Sequence, residues 1–256
     1  MSSAAGKPPF GGVGGTIRAL AGALLAQDPG TEYALCHRLD RWWRGDLWRP
    51  SAPNARVRVL LDPLNSLALR GARLLHSMAP YLPRTPRVTK LVTIHDLNAV
   101  RNVDWVKPSW HERRSAKIAL AVARADHVMT YSAFTAGEIA EQYRVPAERV
   151  HPVLLGVDTT RFRPAAPEEI ARARAKHGDY AISIGLLTAR KNFTTLIEAL
   201  ARLPELRLLL VGRGSDGEAE VEAALDRTGM RGRTVRMTGL PEAELVALIG
   251  AARVCA

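Results

Sequence analysis

The chain has 256 residues, 47% of them hydrophobic and 24% charged, with a formal net charge of +11 and a pI of about 10.3. That length holds one large domain or two modest ones, and no apolar run reaches the length that spans a bilayer. The positive charge suits phosphorylated ligands or an anionic lipid face, whereas its scatter, the 5% aromatic content and the lack of zinc-finger or RNP-type spacing speak against nucleic acid as a partner.

Residues 1–10 contain no strand-like run. Gly11, Gly12, Val13, Gly14 and Gly15 read as a glycine-rich loop that opens a helix over 16–26, with Ile17, Leu20, Ala21 and Leu24 as its stripe. Such a loop can bring backbone amides against phosphate. It lacks the preceding strand and the GxGxxG spacing of a dinucleotide fingerprint, and a flexible N-terminal tail is the alternative. Residues 19–26 also resemble a short signal h-region, but the helical stripe is the favoured reading. Cys36 and Cys255 are far apart and form no CxxC, which argues against a disulfide scaffold and fits a reducing, cytoplasmic setting.

Residues 32–36 and 56–61 read as strands, and a helix is expected within 64–78. Between the strands, Arg41, Trp42, Trp43, Arg44 and Trp48 form an Arg/Trp cluster, more often partly buried packing with stacked Arg than a ligand site. Pro80, Pro83 and Pro86 mark an extended connection. Residues 90–94 form a buried strand ending in His95, Asp96 and Leu97. Ligands of open α/β sheets collect beyond the carboxyl ends of strands, so His95 and Asp96 are site candidates. The structural alternative is a turn in which Asp96 binds nearby amides with His95 packed beside it.

A helix over 109–124, a strand over 126–131 and a helix introduced by a capping box at Thr135 and Glu138 follow. A strand over 150–155 and a Pro-rich linker over 159–167 come next. Residues 181–187 are an apolar run of strand length, then comes a polar connection, then a helix with Phe193, Leu196, Ile197 and Leu200 on one face. Gly185 lies near the strand's end, where a missing side chain permits close approach. Asn192 is placed to cap the helix. Arg190 and Lys191 precede a helix N-terminus, a favourable place for a diphosphate: Arg grips oxygens in a fork and Lys adds a point charge. The alternative is two solvated charges. Strands over 207–211 and 234–238 and helices over 218–227 and 241–252 complete the chain. The strand–helix rhythm from residue 90 onward predicts parallel sheets with helices on both faces.

Several segments taken together have a familiar order: HDL at 95–97, ARADHVMTYSAFTAGEI at 123–139, GVDTTRFRP at 156–164, IGLLTARKN at 184–192, LVG at 210–212, TG at 238–239 and ELVALIGAA at 244–252. With them the chain resembles the retaining glycosyltransferases of the GT-B fold, family 4, also called group 1. The resemblance implies an α/β fold of two Rossmann-like domains with parallel sheets: 1–158 on the acceptor side, a linker at 159–167, and an incomplete nucleotide-sugar-binding domain at 168–256. It implies transfer from a nucleotide-sugar donor to a saccharide, lipid or small-molecule acceptor. Arg190 and Lys191 match the family's basic pair on the donor diphosphate, Gly14 and Gly15 its glycine loop, and His95 a histidine near the transferred sugar, with Asp96 adjacent. No Asp-x-Asp occurs, so no metal is implied and no other cofactor is expected; apart from the resemblance, the cysteines and the basic charge lead to the expectation of a cytoplasmic protein with peripheral contact at the inner membrane face.

The family's acidic motif would follow Cys255, and the strand before the glycine loop is missing, so the chain reads as truncated at both ends. Leu208, Leu210, Val246 and Ile249 are then expected near an uncovered surface. Two other readings stand beside transfer: a non-catalytic remnant that binds a nucleotide or partner, and a nicotinamide-dependent oxidoreductase. The latter is disfavoured because no GxGxxG follows a first strand.

Overall fold

Every strand pair among the described residues is parallel. The computed structural model describes residues 12–39, 48–61, 64–85, 88–101 and 108–256. Two compact units, Met1–Leu155 and Gly156–Ala256, divide the chain.

The first unit opens with helix α1 (Gly12–Gln27), which buries Gly14, Ile17, Ala21 and Leu25 along one side. Strands β1 (Tyr33–Arg38) and β2 (Ala55–Leu60) form a two-stranded sheet. Strands β3 (Leu74–Ser77), β4 (Thr89–Thr93), β5 (His127–Thr130) and β6 (Val150–Pro152) form a second sheet in that order. The helices after β2 are α2 (Asn65–Ala68), α3 (Asn98–Arg101), α4 (Pro108–Arg124) and α5 (Ala133–Tyr143). One core holds Val92 and Val128 of the sheet, Ile118 and Val122 of α4, Ile139 of α5, and Cys36 and Leu60 of the β1–β2 pair.

Three expectations need correction here. The helix expected within 64–78 stops at Ala68, Gly71 turns the chain at φ +82°, and Leu74–Ser77 is a strand. Its side chains at 75 and 77 are buried and alternate with those at 74 and 76, the period of a strand. The cap of α5 is Ser132, not Thr135: the Ser132 hydroxyl accepts from the Thr135 amide at 3.1 Å. Glu138 instead pairs with Arg101 at 3.0 Å. The glycine-rich loop is, from Gly12 onward, the first turn of α1. Of the Arg/Trp cluster, Arg41, Trp42, Trp43 and Arg44 lie outside the described residues. Trp48 packs with Ile17, Leu20 and Met78, and the Arg18 guanidinium lies 5.4 Å from its ring centroid.

The second unit contains α6 (Pro167–His177), β7 (Tyr180–Ile184), α7 (Phe193–Ala201), β8 (Arg207–Val211), α8 (Glu218–Thr228), β9 (Thr234–Met237), α9 (Glu242–Ala251) and β10 (Val254–Cys255). The strand order is β10-β7-β8-β9. On one face Ala181, Leu208 and Leu210 pack against Phe193, Ile197 and Leu200 of α7 and Val221 and Leu225 of α8. On the other, Tyr180, Ile182, Leu209 and Val211 pack against Leu248 of α9 and Ile170 of α6. Leu208 and Leu210 are therefore fully buried, at 0% and 1% exposure, contrary to the surface position expected for them. The helices α7 and α8 cover that face. Val246 and Ile249 are half-buried. Residues 156–166, ahead of α6, are bound into this unit by Arg163 with Glu169 (3.0 Å) and Arg161 with Glu242 (2.9 Å).

Candidate active site

In the second unit the chain leaves β7 at Gly185, whose φ of +155° suits glycine. It then passes through a single 3-10 turn, Ala189–Lys191, into α7. Arg190 and Lys191 are both exposed, and neither has an ion-pair partner among the described residues. The Lys191 stem folds back over Gly185: a β-carbon there would lie 3.3 Å from Lys191 Cε. Asn192 takes a left-handed conformation at φ 50°, and its Oδ1 accepts from the hydroxyls of Thr194 (3.3 Å) and Thr195 (2.9 Å). It caps no amide of α7, contrary to expectation. The orphan N–H groups of the first turn thus remain available to an anion, beside two unpaired cations.

The neighbouring strand supplies what the sequence reading overlooked. After β8, Gly212, Gly214 and Gly217 fall in GxGxxG spacing between a strand and a helix. Here the glycines serve contact between two turns. The Gly185 carbonyl lies where a β-carbon on Gly212 would stand, and the backbone at Thr188 and Ala189 lies where one on Gly217 would stand. Leu187 N–H donates to the Arg213 carbonyl (3.0 Å), and Gly217 N–H donates to the Leu187 carbonyl (2.9 Å). Against Gly214, where a dinucleotide fold admits a phosphate, lies the protein's own Glu218 carboxylate, which Arg236 holds at 2.7 Å. No acidic residue occurs between Asp226 and Glu242 to meet a ribose. The β8 turn therefore braces the β7 turn, and the GxGxxG spacing carries no nicotinamide site.

In the first unit, His95 follows β4 and Tyr131 follows β5. Their ring centroids are 5.2 Å apart. His95 Nε2 lies 3.0 Å from the Met78 carbonyl, just beyond β3. A carbonyl only accepts, so in the neutral ring Nε2 carries the proton and Nδ1 presents a lone pair. The Tyr131 hydroxyl is buried without a hydrogen-bond partner among the described residues, and burial pushes its pKa up. Asp96 is exposed, and its Oδ1 accepts from the Asn98 amide at 3.1 Å, which is the turn named above as its structural alternative. Gly14 is buried in the first turn of α1, while Gly15 has open space where a side chain would be. That turn presents helix N-terminal amides. Among the described residues, no three His, Cys, Asp or Glu side chains gather as a metal site.

The family profile described as Glycosyltransferase Family 4 matches residues 10–161, more than half of the chain. The chain belongs to glycosyltransferase family 4. A D-inositol 3-phosphate glycosyltransferase of Nocardia farcinica is 30% identical over 169 residues, covering 60% of this chain and 37% of that protein. The chain thus spans little more than a third of that relative's length. Sucrose-phosphate synthase of Thermosynechococcus elongatus superposes with a TM-score of 0.68 at 21% identity, over 98% of this chain and 70% of that one. HepE of Anabaena, solved in complex with UDP, gives 0.59 at 17% identity, over 78% and 59%. These likenesses establish the GT-B fold for the family 4 chain.

Proposed function

We propose that this family 4 chain transfers a sugar from a nucleoside-diphosphate sugar to a hydroxyl of a saccharide, lipid or small-molecule acceptor, with retention of configuration. The observation that carries the proposal is the turn Ala189–Lys191: two unpaired cations at the carboxyl end of β7, before a helix whose first amides no side chain caps. As the bond from the anomeric carbon to the diphosphate breaks, negative charge concentrates on the leaving oxygen. Arg190, Lys191 and the α7 amides stabilise that charge more than they stabilise the ground state, which is what accelerates the step. In this reading cationic side chains carry the role and no metal is needed. Gly185 leaves room for the diphosphate and for the Lys191 stem. His95 Nδ1 accepts from a sugar hydroxyl, and the Tyr131 phenol is a second polar group facing the same strand ends. The first turn of α1, with Gly14 and Gly15, offers a further set of helix N-terminal amides suited to phosphate. The UDP bound to HepE supports a nucleoside diphosphate as the ligand class.

The test is calorimetric titration with nucleoside diphosphates, together with radiolabelled transfer from a panel of nucleotide sugars. Binding that is lost in R190Q/K191Q, with label passing to an acceptor, supports the reading. Binding without transfer, by this chain and by a family-length version of it, assigns a nucleotide-binding remnant instead. Absence of both removes the proposal.

A further inference from the structure

Strands β5 and β6 lie side by side, with Val128 opposite Val150 and Met129 opposite His151. Val128 and Val150 both enter the core of the first unit. Side chains alternate between the two faces of a strand, so His127 and His151 stand together on the opposite face. Strand β6 ends its sheet among the described residues, and both imidazoles are exposed. Their rings meet: His127 Nδ1 lies 3.0 Å from His151 Nε2, with the centroids 5.1 Å apart. The charged groups beside them are engaged elsewhere. Asp126 accepts from the Lys90 amide at 2.7 Å and pairs with the Lys90 ammonium at 3.5 Å. Arg149 donates to the carbonyls of Ala125 and Asp126.

We propose that His127 and His151 chelate a divalent transition-metal ion, with water completing its coordination. Imidazole suits zinc, nickel and copper. An ion about 2.0–2.1 Å from each nitrogen sets those nitrogens about 2.9 Å apart at a right angle and about 3.3 Å apart at the tetrahedral angle. The observed 3.0 Å falls between these values, so the two rings are already placed for one ion. In the hydrogen bond, one ring donates an N–H to the other's lone pair. On binding, the donor ring carries its proton on its other nitrogen, and both facing lone pairs go to the metal. The two ligands are 24 residues apart in sequence, so the folded chain presents the pair and the unfolded chain does not. His127 lies about 13 Å along the strand from Tyr131. The ion is thus a brace between β5 and β6, apart from the groups assigned to sugar transfer, and the inference is independent of the transferase reading.

Calorimetric titration of the full chain with nickel, zinc and magnesium ions tests it. The expected result is one nickel or zinc ion per chain and no binding of magnesium, which prefers oxygen ligands. H127Q and H151Q each bind at least about tenfold more weakly, since losing even an outer-shell partner of a metal costs about 10- to 100-fold. C255S, which removes the exposed thiol, and H111Q, whose ring meets the Val100 carbonyl, bind as the parent does. Saturating nickel raises the melting temperature of the parent and of C255S, and leaves H127Q and H151Q unchanged. Melts in chelator establish that the variants are folded. If either melts early, paramagnetic broadening of the parent's NMR signals by nickel, strongest at residues 127 and 151, carries the same expectation. Binding that survives in both His variants, binding lost in C255S, one ion shared by two chains, or no binding of nickel or zinc each overturns the proposal.

Discussion

The carbonyl oxygen of Gly185 occupies the space that a β-carbon on Gly212 would need. Backbone rather than a flexible side chain stands in the way, so G212A must push the ends of β7 and β8 apart. The expected cost is roughly 1–3 kcal/mol of stability, with weaker nucleoside-diphosphate binding. G137A, inside α5 with nothing within 4 Å of the new methyl, is expected to be neutral or to stabilise by up to about 1 kcal/mol. Urea unfolding of the two variants checks the contrast; equal midpoints would sink it.

Lys191 extends over Gly185 without a carboxylate partner, so K191Q removes a charge and no structural bond. Diphosphate affinity is expected to fall roughly ten- to a hundred-fold, the value of a charge-assisted hydrogen bond, with an unchanged melting temperature. R190K is expected to recover only part of what R190Q loses, because an ammonium cannot reproduce the fork. Calorimetry on the set of variants decides both points.

His76 sits on β3 with Nε2 2.7 Å from the Thr93 hydroxyl, and burial pushes its pKa down to about 4. The folded value lies below the unfolded value of about 6.5, so the unfolded chain binds the proton first as pH falls. The stability that neutral His76 contributes is complete above about pH 6.5 and is lost progressively as pH falls through about 4, amounting to on the order of 3 kcal/mol. Unfolding titrations across that window should show the slope in the parent and a flatter profile in H76Q.

The Tyr180 hydroxyl donates to the Leu248 carbonyl at 2.8 Å in a fully buried setting, tying α9 to β7. Y180F leaves that acceptor unpaired, at an expected cost of about 1–3 kcal/mol. Hydrogen exchange in α9 should rise more than in α7, which lies on the other face of the sheet.

Ser132 is the measurable cap of α5. S132A should cost about 1 kcal/mol, and a thermal melt reads it directly. E138Q, at a residue first assigned to a capping box, should lose only the pairing with Arg101.

The β/α rhythm of both units was legible because apolar runs such as 181–184 and 208–211 are bounded by polar turns and flanked by helical stripes. Strand β3 was not: Leu74 and Leu75 adjoin a short helix, and only pairing with β4 decides for the strand. In the candidate site, the placement of Arg190 and Lys191 was readable from spacing alone. Asn192 was misread as a cap because its preference for caps also suits a left-handed residue, the conformation it adopts. The glycines at 212, 214 and 217 carried a spacing signal whose consequence lay in a contact between two turns, which one dimension does not show.

Leu187, bonded through its amide to Arg213 and through its carbonyl to Gly217, makes the turns after β7 and β8 a single inherited unit. An insertion in either one would break the register of both, so neither can lengthen alone as sequences diverge. Residues 238–241, after β9, have no such cross-turn bonds among the described residues. Length variation among natural sequences of this type should therefore gather there, and that turn is where an engineered insertion should be tolerated.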